Sequence, residues 1–250
     1  MNRCKPSVID ILAKLIGIAL LLLAVSAHAL EFSNLEHAGT TITVIRVDPQ
    51  KDKLHLFRAC GDKSRLGFAN LIERLADRGQ KLRFAMNAGM FEANLEPVGL
   101  LVADGIKIAP LNVSGGFGNF YLKPNGVFLI SDSGARIVAS PEYAALRENV
   151  VLATQSGPLL LRAGKIHPSF DPASSSKQIR NGVGITDKGN IVFAISEGKV
   201  NFYDFATLFR DKLHCTDALY LDGSVSSLYA PALGRNDAKS RIGPIVGVLE

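Results

Sequence analysis

The sequence predicts an α+β fold: a large, mostly antiparallel or mixed β-sheet with two main helices packed on it. Three observations predict it. Turn signals recur at short intervals, and the segments between them are short and rich in Val, Ile, Leu and Phe. Apolar residues make up 47% of the chain, enough for a substantial core, with no internal repeat and no low-complexity tract. Only two stretches carry a clear helical period.

Taken in order, the chain opens with a basic stretch (Arg3, Lys5, Lys14) and an apolar run from Leu15 to Val25, then Ser26-Ala27-His28-Ala29. Small residues before Ala29 suit signal-peptidase cleavage, and the 11-residue run falls short of the roughly 20 residues needed to cross a bilayer. Residues 1–29 therefore read as a signal peptide and 30–250 as one working domain, periplasmic or secreted, with no permanent membrane anchor.

Expected strands are Thr41–Val47, Lys53–Ala59, Leu82–Met86, Val98–Ala103, Ile106–Ala109, Gly126–Ile130, Arg136–Ala139, Val150–Thr154, Leu159–Arg162, Gly182–Thr186, Ile191–Ser196, Ala218–Leu221 and Ile245–Leu249. Asp104-Gly105, Ala163-Gly164 and Lys188-Gly189-Asn190 fit hairpin turns. Phe68, Leu71, Ile72 and Leu75 mark one helix, which Gly79 ends. Phe202, Phe205, Leu208, Phe209 and Leu213 mark the second, with Asn201 as N-cap and Asp204 in its first turn. Pro168–Arg180 reads as a mobile surface loop, and Asn112–Asn119 as a glycine-rich one.

The formal net charge is +5, and the leader holds three basic residues and one acidic one (Asp10), so its removal leaves +3. No Lys/Arg cluster interleaves with aromatics, which argues against nucleic acid as a partner. Cys4 leaves with the leader. Cys60 and Cys215 remain, an even count for an oxidising compartment; one disulfide is the expectation and two separate thiols the alternative.

Four strand ends run into small residues mixed with polar ones: Asn87-Ala88-Gly89-Met90-Phe91, Thr154-Gln155-Ser156-Gly157-Pro158, Arg180-Asn181-Gly182-Val183-Gly184 and Leu221-Asp222-Gly223-Ser224-Val225-Ser226-Ser227. Glycine lets a ligand approach the backbone, and N–H groups exposed in such turns cradle anions. A single such end is usually only a turn. Four together, carrying Asn, Ser, Arg and Asp, point to a site.

With these segments the chain resembles the phosphodiester glycosidase family, whose animal member is the "uncovering enzyme" that removes N-acetylglucosamine from phosphodiester-capped mannose. The ordered matches are Asn87–Phe91, Ser156-Gly157-Pro158, Arg180–Ile185 and Leu221–Ser227, from about Leu82 to the C-terminus. Ser224 stands where the family more often has Gly. The resemblance implies hydrolysis of a sugar–phosphodiester linkage at the sugar C1, with a carbohydrate or sugar phosphate as substrate.

The residues fit such chemistry. Arg180 offers a planar donor fork for a phosphodiester anion, against the bland reading of a surface Arg beside a loop. Asp222 suits a general acid or base, or a stabiliser of positive charge at C1, against an Asx-turn residue bracing its own loop. Glycosidases usually use two carboxylates; Glu92 is the first choice for the second, with Glu197 and Asp171 behind it. Asn87, Gly89, Ser156, Gly157, Asn181, Gly223, Ser224 and Ser226 are the expected substrate-binding positions. No G-x-S-x-G is present, and His214 beside Cys215 reads as structural, so a Ser or Cys hydrolase is the weaker reading. Asp222 with Asp217 or Asn181 is a candidate set for a divalent cation, although no spacing requires one. The competing functions are a non-catalytic glycan-binding or envelope-biogenesis protein and a metal-dependent phosphodiesterase cleaving P–O.

Overall fold

The computed structural model describes residues 30–58, 67–237 and 241–250. The expected signal peptide, Ala59 and Cys60 lie outside the described residues.

Three antiparallel sheets replace the single large sheet expected. The first is seven-stranded, in the order β1 (Glu31–His37), β2 (Thr40–Val47), β13 (Ile191–Ser196), β12 (Asn181–Thr186), β14 (Cys215–Asp222), β10 (Leu159–Arg162), β11 (Lys165–Ile166). The second runs β16 (Arg235–Asn236), β15 (Leu228–Ala230), β4 (Leu82–Asn87), β17 (Ile245–Leu249), β3 (Leu54–Phe57). The third runs β6 (Ile106–Ala109), β5 (Leu101–Ala103), β9 (Val150–Ser156), β7 (Gly126–Ser131), β8 (Gly134–Ala139). Alternation along a strand identifies which face is apolar but not which strand pairs with it, so one sheet and three look alike in the sequence.

Phe193 on β13 sits where the three sheets meet. Its ring lies 5.2 Å from Phe84 on β4 and 6.1 Å from Phe128 on β7. Burying an aromatic of this size stabilises by about 1.5–3 kcal/mol, and aromatic pairs at these spacings add to it. Around this point gather Ile45, Val183, Ile195, Leu219 and Leu221 from the seven-stranded sheet and Met86 and Val246 from the second.

The opposite face of the seven-stranded sheet carries the second expected helix. It divides into α3 (Phe202–Thr207) and a wider π-type turn over Leu208–Lys212. Asn201 caps it as expected, its side chain accepting from the Asp204 N–H at 2.7 Å. Phe205 and Phe209 press on β12 through Gly182 and Gly184: a Cβ at Gly184 would lie 2.7 Å from Phe209, and one at Gly182 3.2 Å from Phe205. The first expected helix is α1 (Phe68–Ala76), which buries Phe68, Leu71 and Leu75 against Ala85 and Ile245 of the second sheet. A third helix, α2 (Ser140–Ala145), lacks an apolar stripe and was not expected. Asp104-Gly105 and Ala163-Gly164 both turn with positive φ at each residue, as the hairpin reading requires. No helix among the described residues is long and apolar enough to cross a membrane.

The stretch Pro168–Arg180 is irregular but tethered. Asn201 Nδ2 donates to the carbonyl oxygens of Pro172 and Ser174, and Gln178 forms a bridge with Val200. Phe170 stacks between His167 and Phe202, with centroid distances of 4.7 and 5.0 Å. The composition suggests a free loop; the fold pins it through backbone contacts that composition does not encode.

Candidate functional site

Asn181 and Asp222 are register partners at the ends of β12 and β14. Arg180 and Tyr220 share the face that carries α3, whereas Asn181 meets Asn87 of β4; a one-residue register shift between Asn181 and Gly182 leaves Asp222 at a bulge opposite Asn181. The chain ends of the first and second sheets are therefore joined amide to amide. Asn87 Nδ2 donates to Asn181 Oδ1 at 3.2 Å, and Asn181 Nδ2 donates to Asn87 Oδ1 at 3.0 Å.

These two amides also fasten the glycine- and serine-containing loop that follows β14. The Asp222 N–H donates to Asn181 Oδ1, and the Ser227 N–H donates to Asn87 Oδ1. Ser226 Oγ donates to the Asp222 carbonyl at 2.7 Å, and Ser156 Oγ donates to the Leu221 carbonyl at 2.8 Å. Asn87, Asn181, Ser156 and Ser226 are buried. Buried polar groups of this kind are costly unless paired, and here they pair with the loop that presents Asp222.

The loop borders a cavity of about 520 Å³. Its lining comes mainly from three places: Met90, Phe91 and Glu92 after β4; Phe117–Tyr121 at the end of the glycine-rich loop and just beyond it; and Tyr220, Asp222, Gly223 and Ser224 at the end of β14, with Val98 and Gln178 completing it. Of the expected site residues, Glu92, Asp222, Gly223 and Ser224 line this cavity. Gly89 adjoins it at the backbone, where φ is +149° and a Cβ would lie 2.9 Å from Thr154 Oγ1. Gly157 lets two chain segments cross: a Cβ there would lie 2.9 Å from the Phe120 carbonyl.

Asp222 is 7% exposed. Burial pushes its carboxyl above the ordinary Asp value, while the N–H and Oγ–H of Ser224, each donating to Oδ1 at 2.8 Å, and the Gly223 N–H pull it back. The Asx-turn reading of Asp222 matches these contacts, and the same residue stands at the cavity. Ser224 uses its hydroxyl on Asp222, a contact that Gly at this position does not make.

Arg180 is placed differently from an exposed anion clamp. It is 1% exposed and is not among the cavity-lining residues. Its Nε donates to the Val200 carbonyl and its Nη2 to the Ser176 carbonyl, and its guanidinium lies 3.6 Å above the Phe202 ring. An Arg is by default a surface residue, which is why the sequence alone does not reveal this burial.

The cation set does not assemble. Asp217 lies five residues before Asp222, roughly 16 Å away along the strand, and its Oδ1 pairs with Arg162 at 2.8 Å. Asn181 is engaged with Asn87, and no three His, Cys, Asp or Glu residues come together among the described residues. Cys215 is a buried thiol that donates to the Leu213 carbonyl at 3.8 Å, and burial pushes it up to about 12. Its pairing with Cys60 falls outside the described residues.

Sequence reasoning missed Tyr220 and Phe117. Tyr220 lies two residues before Asp222 and lines the same cavity, so its nearness to the Asp222 segment was the available clue. Phe117 stands fully exposed (100%) at the cavity between Gly116 and Gly118, where an aromatic among glycines was the available clue.

Comparison with known proteins agrees with this architecture. A solved structure of the catalytic domain of zebrafish N-acetylglucosamine-1-phosphodiester alpha-N-acetylglucosaminidase, auto-inhibited by its pro-peptide, superposes with a TM-score of 0.61 at 17% identity, covering 90% of this chain and 84% of that one. A hypothetical protein from Synechocystis superposes with a TM-score of 0.53 at 16% identity, covering 88% of this chain and 61% of that one. The Escherichia coli K12 protein YigE, described as uncharacterized, is 35% identical over 217 residues, 86% of this chain and 85% of its own. The phosphodiester glycosidase family model matches residues 80–248, which span all four strand-end segments and the cavity-lining residues. On that match, over more than half its length, the chain belongs to the phosphodiester glycosidase family.

Proposed function

We propose that this chain hydrolyses the C1–O bond of a sugar held in a phosphodiester, acting on envelope or extracellular glycans. The carrying observation is the cavity at the end of β14, which sets the buried carboxylate of Asp222 in its wall with Glu92 also lining it. In this reaction the bond between C1 and the bridging oxygen breaks, and its electron pair leaves with the phosphate. Water adds to C1 and gives its proton to a carboxylate. A phosphate monoester leaves readily, so little acid assistance is required. Asp222 takes the base role, or stabilises the positive charge developing at C1, and its upward shift brings it closer to a working base at neutral pH. Glu92 is the second carboxylate.

The zebrafish relative is named for an N-acetylglucosamine-1-phosphodiester. That makes the same sugar the first to try. The basic, apolar and small-residue leader supports export to the periplasm or medium, where such glycans are found. A mass measurement, with and without reductant, tests both cleavage after Ala29 and the Cys60–Cys215 bond.

The activity test is hydrolysis of a chromogenic sugar-1-phosphodiester by wild type, Asp222→Asn and Arg180→Ala. Turnover by wild type with a loss of at least about 100-fold in Asp222→Asn fits the reading. Equal rates in all three proteins contradict the site assignment. Saccharide binding without product, across a substrate panel, favours the non-catalytic glycan-binding reading instead.

A further inference from the structure

Arg180 poses an electrostatic problem that the fold leaves open. Its guanidinium is almost wholly buried, and the acceptors of its Nε and Nη2 are neutral carbonyl oxygens. Nη1 has no hydrogen-bond partner, the one side-chain partner of the guanidinium is the neutral Tyr220 hydroxyl, and no carboxylate among the described residues forms an ion pair with Arg180. Arg does not shed its proton in a protein, so the charge stays. A buried unpaired charge is expensive, and stacking on Phe202 and Tyr220, at 3.6 and 5.3 Å, offsets only part of that cost. A positive charge kept this way calls for an anion that comes and goes.

Tyr220 joins Arg180 to the cavity. Its ring faces the guanidinium, it lines the cavity, and Phe202 holds the ring edge-on at 4.8 Å. The hydroxyl is fixed by its surroundings. Gly223 leaves room for it, since a Cβ there would overlap Tyr220 Oη, and the Asn119 side chain bonds it from the cavity wall. Burial keeps the phenol protonated well above physiological pH, hence a donor.

We propose that Tyr220 contacts the substrate: its hydroxyl donates to a non-bridging phosphoryl oxygen, and Arg180 behind it supplies the balancing positive charge. The inference rests on the phosphodiester reading and deepens it by assigning the end of the cavity that takes the phosphate. It also gives Arg180 a role through Tyr220, as a positioning residue, in place of a direct clamp.

The test compares binding of N-acetylglucosamine 1-phosphate, its neutral methyl glycoside and inorganic phosphate by calorimetry, using wild type, Tyr220→Phe and Gly223→Ala. Circular-dichroism melting checks each fold. Tyr220→Phe keeps the ring on Arg180 and removes the hydroxyl with its bonds to Arg180 and Asn119; Gly223→Ala keeps both residues and fills the space that the hydroxyl occupies. A hydrogen bond to a charged group contributes enough that both variants should bind the 1-phosphate roughly 10-fold or more weakly, and Tyr220→Phe should lose much less affinity for the neutral glycoside than for the 1-phosphate. Undiminished 1-phosphate binding in a folded variant overturns the assignment, as does a wild type with no preference for the phosphate-bearing ligand. Hydrolysis is read separately on the same proteins. Wild-type cleavage with unaltered binding in the variants removes the phosphate seat alone, whereas hydroxyl-dependent binding without cleavage removes the hydrolytic reading alone.

Discussion

Asn87 and Asn181 exchange side-chain hydrogen bonds across two sheets, at 3.2 and 3.0 Å, directly beneath the loop that carries Asp222. Their oxygens accept from the backbone N–H groups of Asp222 and Ser227 as well. This pair is the device that turns two separate strand ends into one site.

Asn181→Ala should therefore destabilise and disarm the protein together. It leaves the Asn87 amide and the Asp222 N–H unsatisfied in a buried place, at a cost of about 1–3 kcal/mol each way of counting. Thermal unfolding should show a clear drop in Tm, and activity should fall more than the folded fraction does. A variant with wild-type Tm would mean the amide pair is dispensable.

Asp222→Asn should separate activity from stability. Burial raises the folded-state value of this carboxyl above its unfolded value. A raised group stabilises the fold at low pH and loses that contribution as pH rises through the folded value, so at neutral pH the ionised form is a burden. Asn keeps an oxygen for the Ser224 donors and removes the charge. The variant should melt no lower than wild type at pH 7 and lose that relative advantage toward acid pH, while turnover falls by about 100-fold or more. Melting curves across pH test the sign.

Ser224→Gly removes the Oγ–H bond to Asp222 Oδ1 and leaves the backbone N–H bond. The lost bond favoured the ionised form. The acid limb of the pH–rate profile should move to higher pH, with activity retained on the alkaline side. A profile that moves the other way contradicts the arrangement around Asp222.

Asn201→Ala removes the N-cap of α3 and two tethers on the Pro168–Arg180 stretch at once. Loss of an N-cap costs about 1 kcal/mol. Hydrogen exchange should rise both in the first turn of the helix and around Pro172–Ser174. Exchange confined to the helix would show that the stretch is held by Phe170 and Gln178 alone.

Much of this was legible in the sequence. Every expected strand has a counterpart, both apolar helical stripes exist, and the strand ends at Asn87, Asn181 and Asp222 meet through hydrogen bonds. The failures have physical causes. β1 escaped because it is an edge strand whose residues are half-exposed or exposed, so its sequence EFSNLEH shows no apolar alternation. Strand β15 is three residues and β16 two, too short for a pattern. Arg180 is buried through aromatic stacking and carbonyl acceptors that lie 4 to 40 residues away in sequence. Ser156 and Ser226 looked like ligand donors but brace backbone carbonyls, which spacing along the chain does not reveal.

The most direct test of the account is hydrolysis of an N-acetylglucosamine-1-phosphodiester by wild type in oxygen-18 water, with products read by mass spectrometry. Cleavage at C1–O predicts the label in the released sugar and none in the phosphate. Label in the phosphate would mean P–O cleavage and would contradict the role given to Asp222.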